Sequence, residues 1–172
     1  MIARTALLVL LGAVCAIETR PAAAHDRRIV DTVHAGDARS EAAHGYEGFD
    51  TRADTAGGAA YREARGWMRY ALTTFDDTEV TVSCTFAGDT AAGAPRRFDL
   101  VVEDSLVASP ALAPSAEPRT VDIVVPQRLT RGKTNIAIAV RARGGITPAL
   151  RQLRTVQDHN EHLPLFPFGA PQ

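Results

Sequence analysis

The sequence predicts an all-β protein, an antiparallel β-sandwich or barrel. From Leu72 onward apolar and polar residues alternate with a period of two, the spacing that puts every second side chain on one face of a strand. Clusters of turn formers interrupt this alternation every ~10–15 residues, as in sandwiches and barrels. Nowhere do twelve or more residues carry a convincing apolar stripe at the helical period.

Taken in order, residues 39–65 are polar, Gly- and Ala-rich and weakly periodic. They are expected to form an ordered loop with short edge strands, since the segment is too short to bury a core of its own. In residues 66–72, Met68, Tyr70 and Leu72 share one parity and are assigned to the core, which leaves Trp67 and Arg69 on the other face. Val80, Val82, Cys84 and Phe86 alternate with Glu79, Thr81, Ser83 and Thr85. Phe98, Leu100 and Val102 alternate with Arg97, Asp99 and Glu103, with Val101 the exception. Val121, Ile123 and Val125 follow, then Ile136, Ile138 and Val140 against Ala137, Ala139 and Arg141. Each set reads as a strand with one wet face. Asp104-Ser105 is placed in a tight hairpin, without the Asn-Gly or Asp-Gly pair that would define its type. Leu150, Leu153 and Val156, three apart, suit either a helical turn or a bulged strand.

The two ends stand apart. Residues 1–24 open with Arg4, continue through an apolar run and close on Ala22-Ala23-Ala24, the form of a cleaved secretory signal. The run is shorter than the ~20 residues needed to span a bilayer. A secreted or periplasmic protein is therefore expected, with no stable membrane insertion after cleavage. Residues 25–158 are assigned to the sandwich and residues 159–172, with three prolines, to a loosely docked tail. Cys15 leaves with the leader, so Cys84 has no internal disulfide partner and reads as a small buried hydrophobe. A formal net charge of −1 removes the basic footprint of a nucleic-acid binder.

Order and spacing carry a further signal. Ser40-Glu41 and His44 are followed by Arg62-Glu63-Ala64, Gly66-Trp67-Met68-Arg69-Tyr70-Ala71-Leu72, Arg97-Phe98-Asp99 and Pro126…Leu129…Gly132-Lys133. Over residues 29–155 this resembles the C-terminal β-sandwich domain appended to beta-L-arabinofuranosidases of glycoside hydrolase family 127. The plan is similar, more loosely, to galactose-binding-domain-like jelly rolls used as carbohydrate-binding modules. The resemblance implies an antiparallel jelly-roll sandwich standing alone as an accessory domain, because these residues encode no helical catalytic barrel. It also implies a structural calcium as the cofactor, held by Glu41 with Asp37 or Asp158; the alternative is a Glu41 that is ion-paired or caps a turn.

Catalysis is not expected. Glycoside hydrolysis needs two carboxyl groups fixed across a cleft, and Asp76-Asp77 and Glu103-Asp104 sit where acids favour turns. Asp158, His159 and His162 have metal-ligand spacing but adjoin the Pro-rich tail, where a solvated segment is the simpler reading. Sugar binding calls for an aromatic face and planar polar side chains. Tyr61, Arg62, Arg65 and Trp67 form the candidate patch if their face is open; if the N-terminal segment covers it, Trp67 is structural. The expected partner is a polysaccharide or oligosaccharide. The alternative is a second secreted protein on which the domain docks without touching sugar.

Overall fold

The computed structural model describes residues 27–75, 79–91 and 93–158. The leader, Asp76-Asp77 and the tail with His159 and His162 lie outside the described residues. Within them the chain runs β1 (Arg27–His34), α1 (Ala38–Ala43), β2 (Glu47–Ala56), β3 (Ala59–Thr73), β4 (Val80–Phe86) and β5 (Arg96–Val102). It continues with β6 (Ser105–Ala108), β7 (Ala111–Leu112), β8 (Arg119–Val125), a 3-10 turn (Gln127–Leu129), β9 (Asn135–Ala142) and β10 (Leu150–Asp158).

All strand pairs are antiparallel, and they fall into two runs. One is β1-β10-β4-β8 and the other β2-β3-β9-β5-β6, with short β7 also on β5. A single register pair, Leu150 with Arg62, joins them. The expected all-β antiparallel architecture is the one observed. The core lies between the runs: Met68, Tyr70 and Leu72 of β3, Ile136, Ile138 and Val140 of β9, and Phe98, Leu100 and Val102 of β5 face Val80, Val82, Cys84 and Phe86 of β4. The Phe86 and Phe98 rings meet at a centroid distance of 4.9 Å. Burying side chains of this size contributes about 1.5–3 kcal/mol each. Burial pushes the Cys84 thiol up to about 12, so it is protonated and inert.

Two local expectations need correction, and for Leu150 and Leu153 the bulged strand is the alternative found. The hairpin loop is Glu103-Asp104, one residue earlier than expected, because Val102 pairs with Ser105. Both loop residues are left-handed (φ 49° and 62°), the requirement of a type I′ turn, met here without glycine. Leu150 and Leu153 are both buried although three apart, because the β10–β4 register slips between Leu150 and Gln152. Finally, residues 39–65, expected as an ordered loop with short edge strands, are mostly regular structure: part of α1, all of β2, which is an edge strand but ten residues long, and the first half of the fifteen-residue β3.

The short helix fixes the start of β3. Asp37 caps α1 by accepting from Ser40 N–H at 2.7 Å. Gly36, at φ +84°, passes so close to β3 that a Cβ would stand 2.5 Å from the Tyr61 carbonyl oxygen. At the far end of α1, His44 packs its Nε2 3.1 Å from Asp31. Burial alone would raise the Asp31 pKa, but the Thr73 amide, His44 and the Thr32 amide outweigh it and hold the carboxyl below its usual range.

Candidate functional site

The side chains of β3 divide by parity. Arg62, Ala64, Met68, Tyr70 and Leu72 turn inward; Tyr61, Glu63, Arg65 and Trp67 lie along the outer side. Tyr61, Arg65 and Trp67 of the expected patch thus occupy one strand face, with Tyr61 and Trp67 half-buried and Arg65 exposed. At about 3.3 Å per residue, Tyr61 and Trp67 stand roughly 20 Å apart. They mark the two ends of a strip and cannot stack on the same sugar ring.

Arg62 does not belong to the patch. Its Nε and Nη2 each donate to Glu41 at 2.6 Å, Nη1 donates to Thr51 at 3.2 Å, and its guanidinium lies 4.3 Å from the Tyr46 ring centroid. Only 14% of the Arg62 side chain and 6% of Glu41 remain exposed. The hydrogen bond to Glu41 raises the Arg62 pKa further. Tyr70 donates to the same carboxylate at 3.1 Å and Gly36 N–H at 2.8 Å; burial first, and the Glu41 charge next, keep the Tyr70 hydroxyl protonated.

The expected calcium pair is not the arrangement found either. Glu41 already accepts four hydrogen bonds, two of them from a guanidinium that would repel a cation, while Asp37 is committed to the helix cap. No group of three or more His, Cys, Asp or Glu suited to a metal occurs among the described residues. These residues do not fit a calcium site; Glu41 takes the ion-paired alternative.

Side chains from other elements complete the strip. At the Tyr61 end a cleft of about 200 Å³ is lined by Arg52, Tyr61, Glu63, Asp89, Arg96 and Ala149. Arg96 bridges Glu63 at 2.9 Å and Asp89 at 2.5 Å, and its Nη1 also donates to the Thr147 carbonyl. Arg52 reaches over Glu63 at 3.6 Å. On the far side of this pair a second cleft, of about 220 Å³, is lined by Asp50, Thr51, Arg52, Glu63, Arg65 and Ile146. Beyond it Trp67 pairs in register with Phe49 of β2. Phe49 is 66% exposed, and its ring covers Gly66, where a Cβ would stand 2.7 Å from Phe49 Cδ1. The N-terminal segment therefore flanks this face, adding an aromatic residue to it. Arg52, Phe49, Asp89 and Arg96 escaped the sequence reading. The available signal was parity: carrying the Met68/Tyr70 phase backward turns Arg62 inward and Glu63 outward.

This surface can stack aromatic rings on apolar ring faces and offer planar guanidinium and carboxylate groups to hydroxyls. Residues 24–156 match the family of unknown function DUF6805. The chain belongs to that family. No curated protein matches it. Among solved structures, this DUF6805 chain is similar to a family 35 carbohydrate-binding module from Clostridium thermocellum, with 14% identity, TM-score 0.56, and 75% of this chain covering 96% of that one. A family 35 module from an environmental isolate gives 17% identity and TM-score 0.57 over 74% and 96% of the two chains. A third match is to an exo-beta-1,3-galactanase from Phanerochaete chrysosporium, at 10% identity and TM-score 0.53, covering 72% of this chain and 28% of that enzyme. At these identities the likeness establishes the jelly-roll fold. The family found is DUF6805, and the narrower resemblance to glycoside hydrolase family 127 accessory domains is not what the comparisons single out.

Proposed function

We propose that this DUF6805 chain is a secreted or periplasmic, non-catalytic glycan-binding module, accessory to proteins that degrade polysaccharides. The observation that carries the reading is the strip itself: Tyr61, Arg65 and Trp67 share the outer side of β3, with Phe49 beside Trp67 and two small clefts between the aromatic ends. A fold shared with carbohydrate-binding modules supports it. The ligand chemistry is that of an extended saccharide, because the ends are too far apart for one ring. Affinity electrophoresis against arabinans, galactans, xylans and pectins tests this. Retention on at least one polymer is expected, weakened by Tyr61→Ala or Trp67→Ala while circular dichroism shows the fold intact. No retention on any polymer, or turnover of aryl glycosides by the pure protein, would refute it.

A further inference from the structure

The Trp67 end of the strip continues across the sheet in a single row. Phe49 pairs with Trp67, Trp67 with Arg141, and Arg141 with Asp99, crossing β2, β3, β9 and β5. One step toward the strand ends, Arg143 stands opposite Arg97, its N–H donating to the Arg97 carbonyl at 3.3 Å. Arg65, Arg97 and Arg141 are exposed, and their guanidinium groups make no hydrogen bond or ion pair among the described residues. The carboxylate within this group, Asp99, is already engaged by Ser109 Oγ at 2.5 Å and by Arg143 at 3.5 Å. Asp50 and Glu63 line the adjoining cleft with Arg52 and Arg65, and because Glu63 is held by Arg52 and Arg96 the guanidinia remain in excess.

We infer that this face selects acidic polysaccharides, with carboxylate-bearing uronate residues docking against Arg141, Arg65 and Arg97 and their ring faces against Trp67 and Phe49. The inference deepens the glycan-binding reading and rests on it. A guanidinium binds a carboxylate through two parallel hydrogen bonds, and one that has no partner in the free protein gives up none to do so. An aromatic pair in register with the arginines adds a flat apolar surface. A polyuronate supplies both features at every repeat, whereas an acidic peptide supplies carboxylates without sugar faces. On a chain of net charge −1, the local cationic excess belongs to this face and not to the molecule at large.

The test is calorimetric titration of the purified protein with polygalacturonate, highly methyl-esterified pectin, dextran sulfate, poly-L-glutamate and a neutral galactan. Polygalacturonate should bind, with affinity falling as salt rises, and methyl esterification should abolish the gain. The double variant Arg97→Gln/Arg141→Gln should weaken polygalacturonate binding by roughly tenfold or more. Its neutral-glycan binding and thermal melt should not change, since both residues are exposed. Trp67→Ala should weaken polygalacturonate binding as well.

Equal binding of esterified and free pectin, or an unaffected double variant, overturns the inference. Poly-L-glutamate binding as tightly as polygalacturonate would reassign the face to an acidic protein partner, and preference for dextran sulfate would reassign it to sulfated glycans. Neutral-glycan binding that persists while polygalacturonate fails removes the inference alone. Failure of every polymer removes the glycan reading with it.

Discussion

Replacing Glu41 with alanine removes one partner of a buried ion pair and leaves the other in place. Both guanidinium contacts are 2.6 Å, and the pair is almost wholly shielded from water. An exposed pair would cost about 0–1 kcal/mol to break. A buried one costs about 3–5 kcal/mol, because an uncompensated charge remains inside. The Gly36 amide and Tyr70 hydroxyl lose their acceptor as well. Set against a typical domain stability of about 5–15 kcal/mol, Glu41→Ala should lower Tm by roughly 10–20 °C. The joint replacement Glu41→Leu/Arg62→Met removes both charges and should recover most of the loss, short of the about 1–3 kcal/mol for groups left unsatisfied. Urea unfolding reports this through the fluorescence of Trp67, the only tryptophan in the chain, with circular dichroism as a second probe. A loss below about 1 kcal/mol for Glu41→Ala would refute the buried-pair account. So would a fall of equal size when EDTA is added to the unmutated protein, which would make the carboxylate a metal ligand.

Glu103 predicts an acid sensitivity. Burial raises its pKa, but Lys133 Nζ at 2.6 Å and the Ala137 amide at 2.7 Å more than compensate and hold it below the ordinary 4.5. A folded value below the unfolded one means the stabilisation is complete above about pH 4.5 and is lost as pH falls through the folded pKa. Glu103→Gln should therefore flatten the acid limb of a thermal-melt profile and leave the slope between neutral and mildly basic pH unchanged. Gly66→Ala should cost about 1–3 kcal/mol in urea titrations, because its Cβ would meet the Phe49 carbonyl oxygen at 2.5 Å as well as the ring.

Much of the fold was readable because β4, β5 and β9 carry large apolar residues at every second position, a sequence alternation that survives although Thr81 and Ser83 of β4, Val101 of β5 and Ala139 of β9 are buried as well. The N-terminal third was harder for identifiable reasons. β2 exposes nearly every side chain, so no apolar period marks it, and α1 has six residues, too few for a stripe. The type I′ turn at Glu103-Asp104 hid behind two non-glycine residues in left-handed backbone. For the site, aromatic and guanidinium chemistry points to Tyr61, Arg65 and Trp67, and the start of β3 at Ala59 gives them a common strand face. Arg62 was misplaced because its partner, Glu41, lies twenty-one positions upstream, and nothing local signals that a charged residue will be neutralised inside. Phe49 and Arg52 became visible only with the β2–β3 register.

The pairing of β1 with β10 sets Arg27 directly opposite Asp158. The first and last strands therefore meet side by side at one end of the sandwich, as neighbours within one sheet. Such a unit can be spliced into a surface loop of a larger host with almost no gap to bridge. It also has a mechanical direction. Tension that separates the two ends opens the β1–β10 ladder one residue pair at a time, like a zipper. A pull between the β3 strip and either end enters through β3 or β10 and is spread across the sheets. A domain holding a solid surface through its β3 strip would be loaded along the resistant path and spared the weak one.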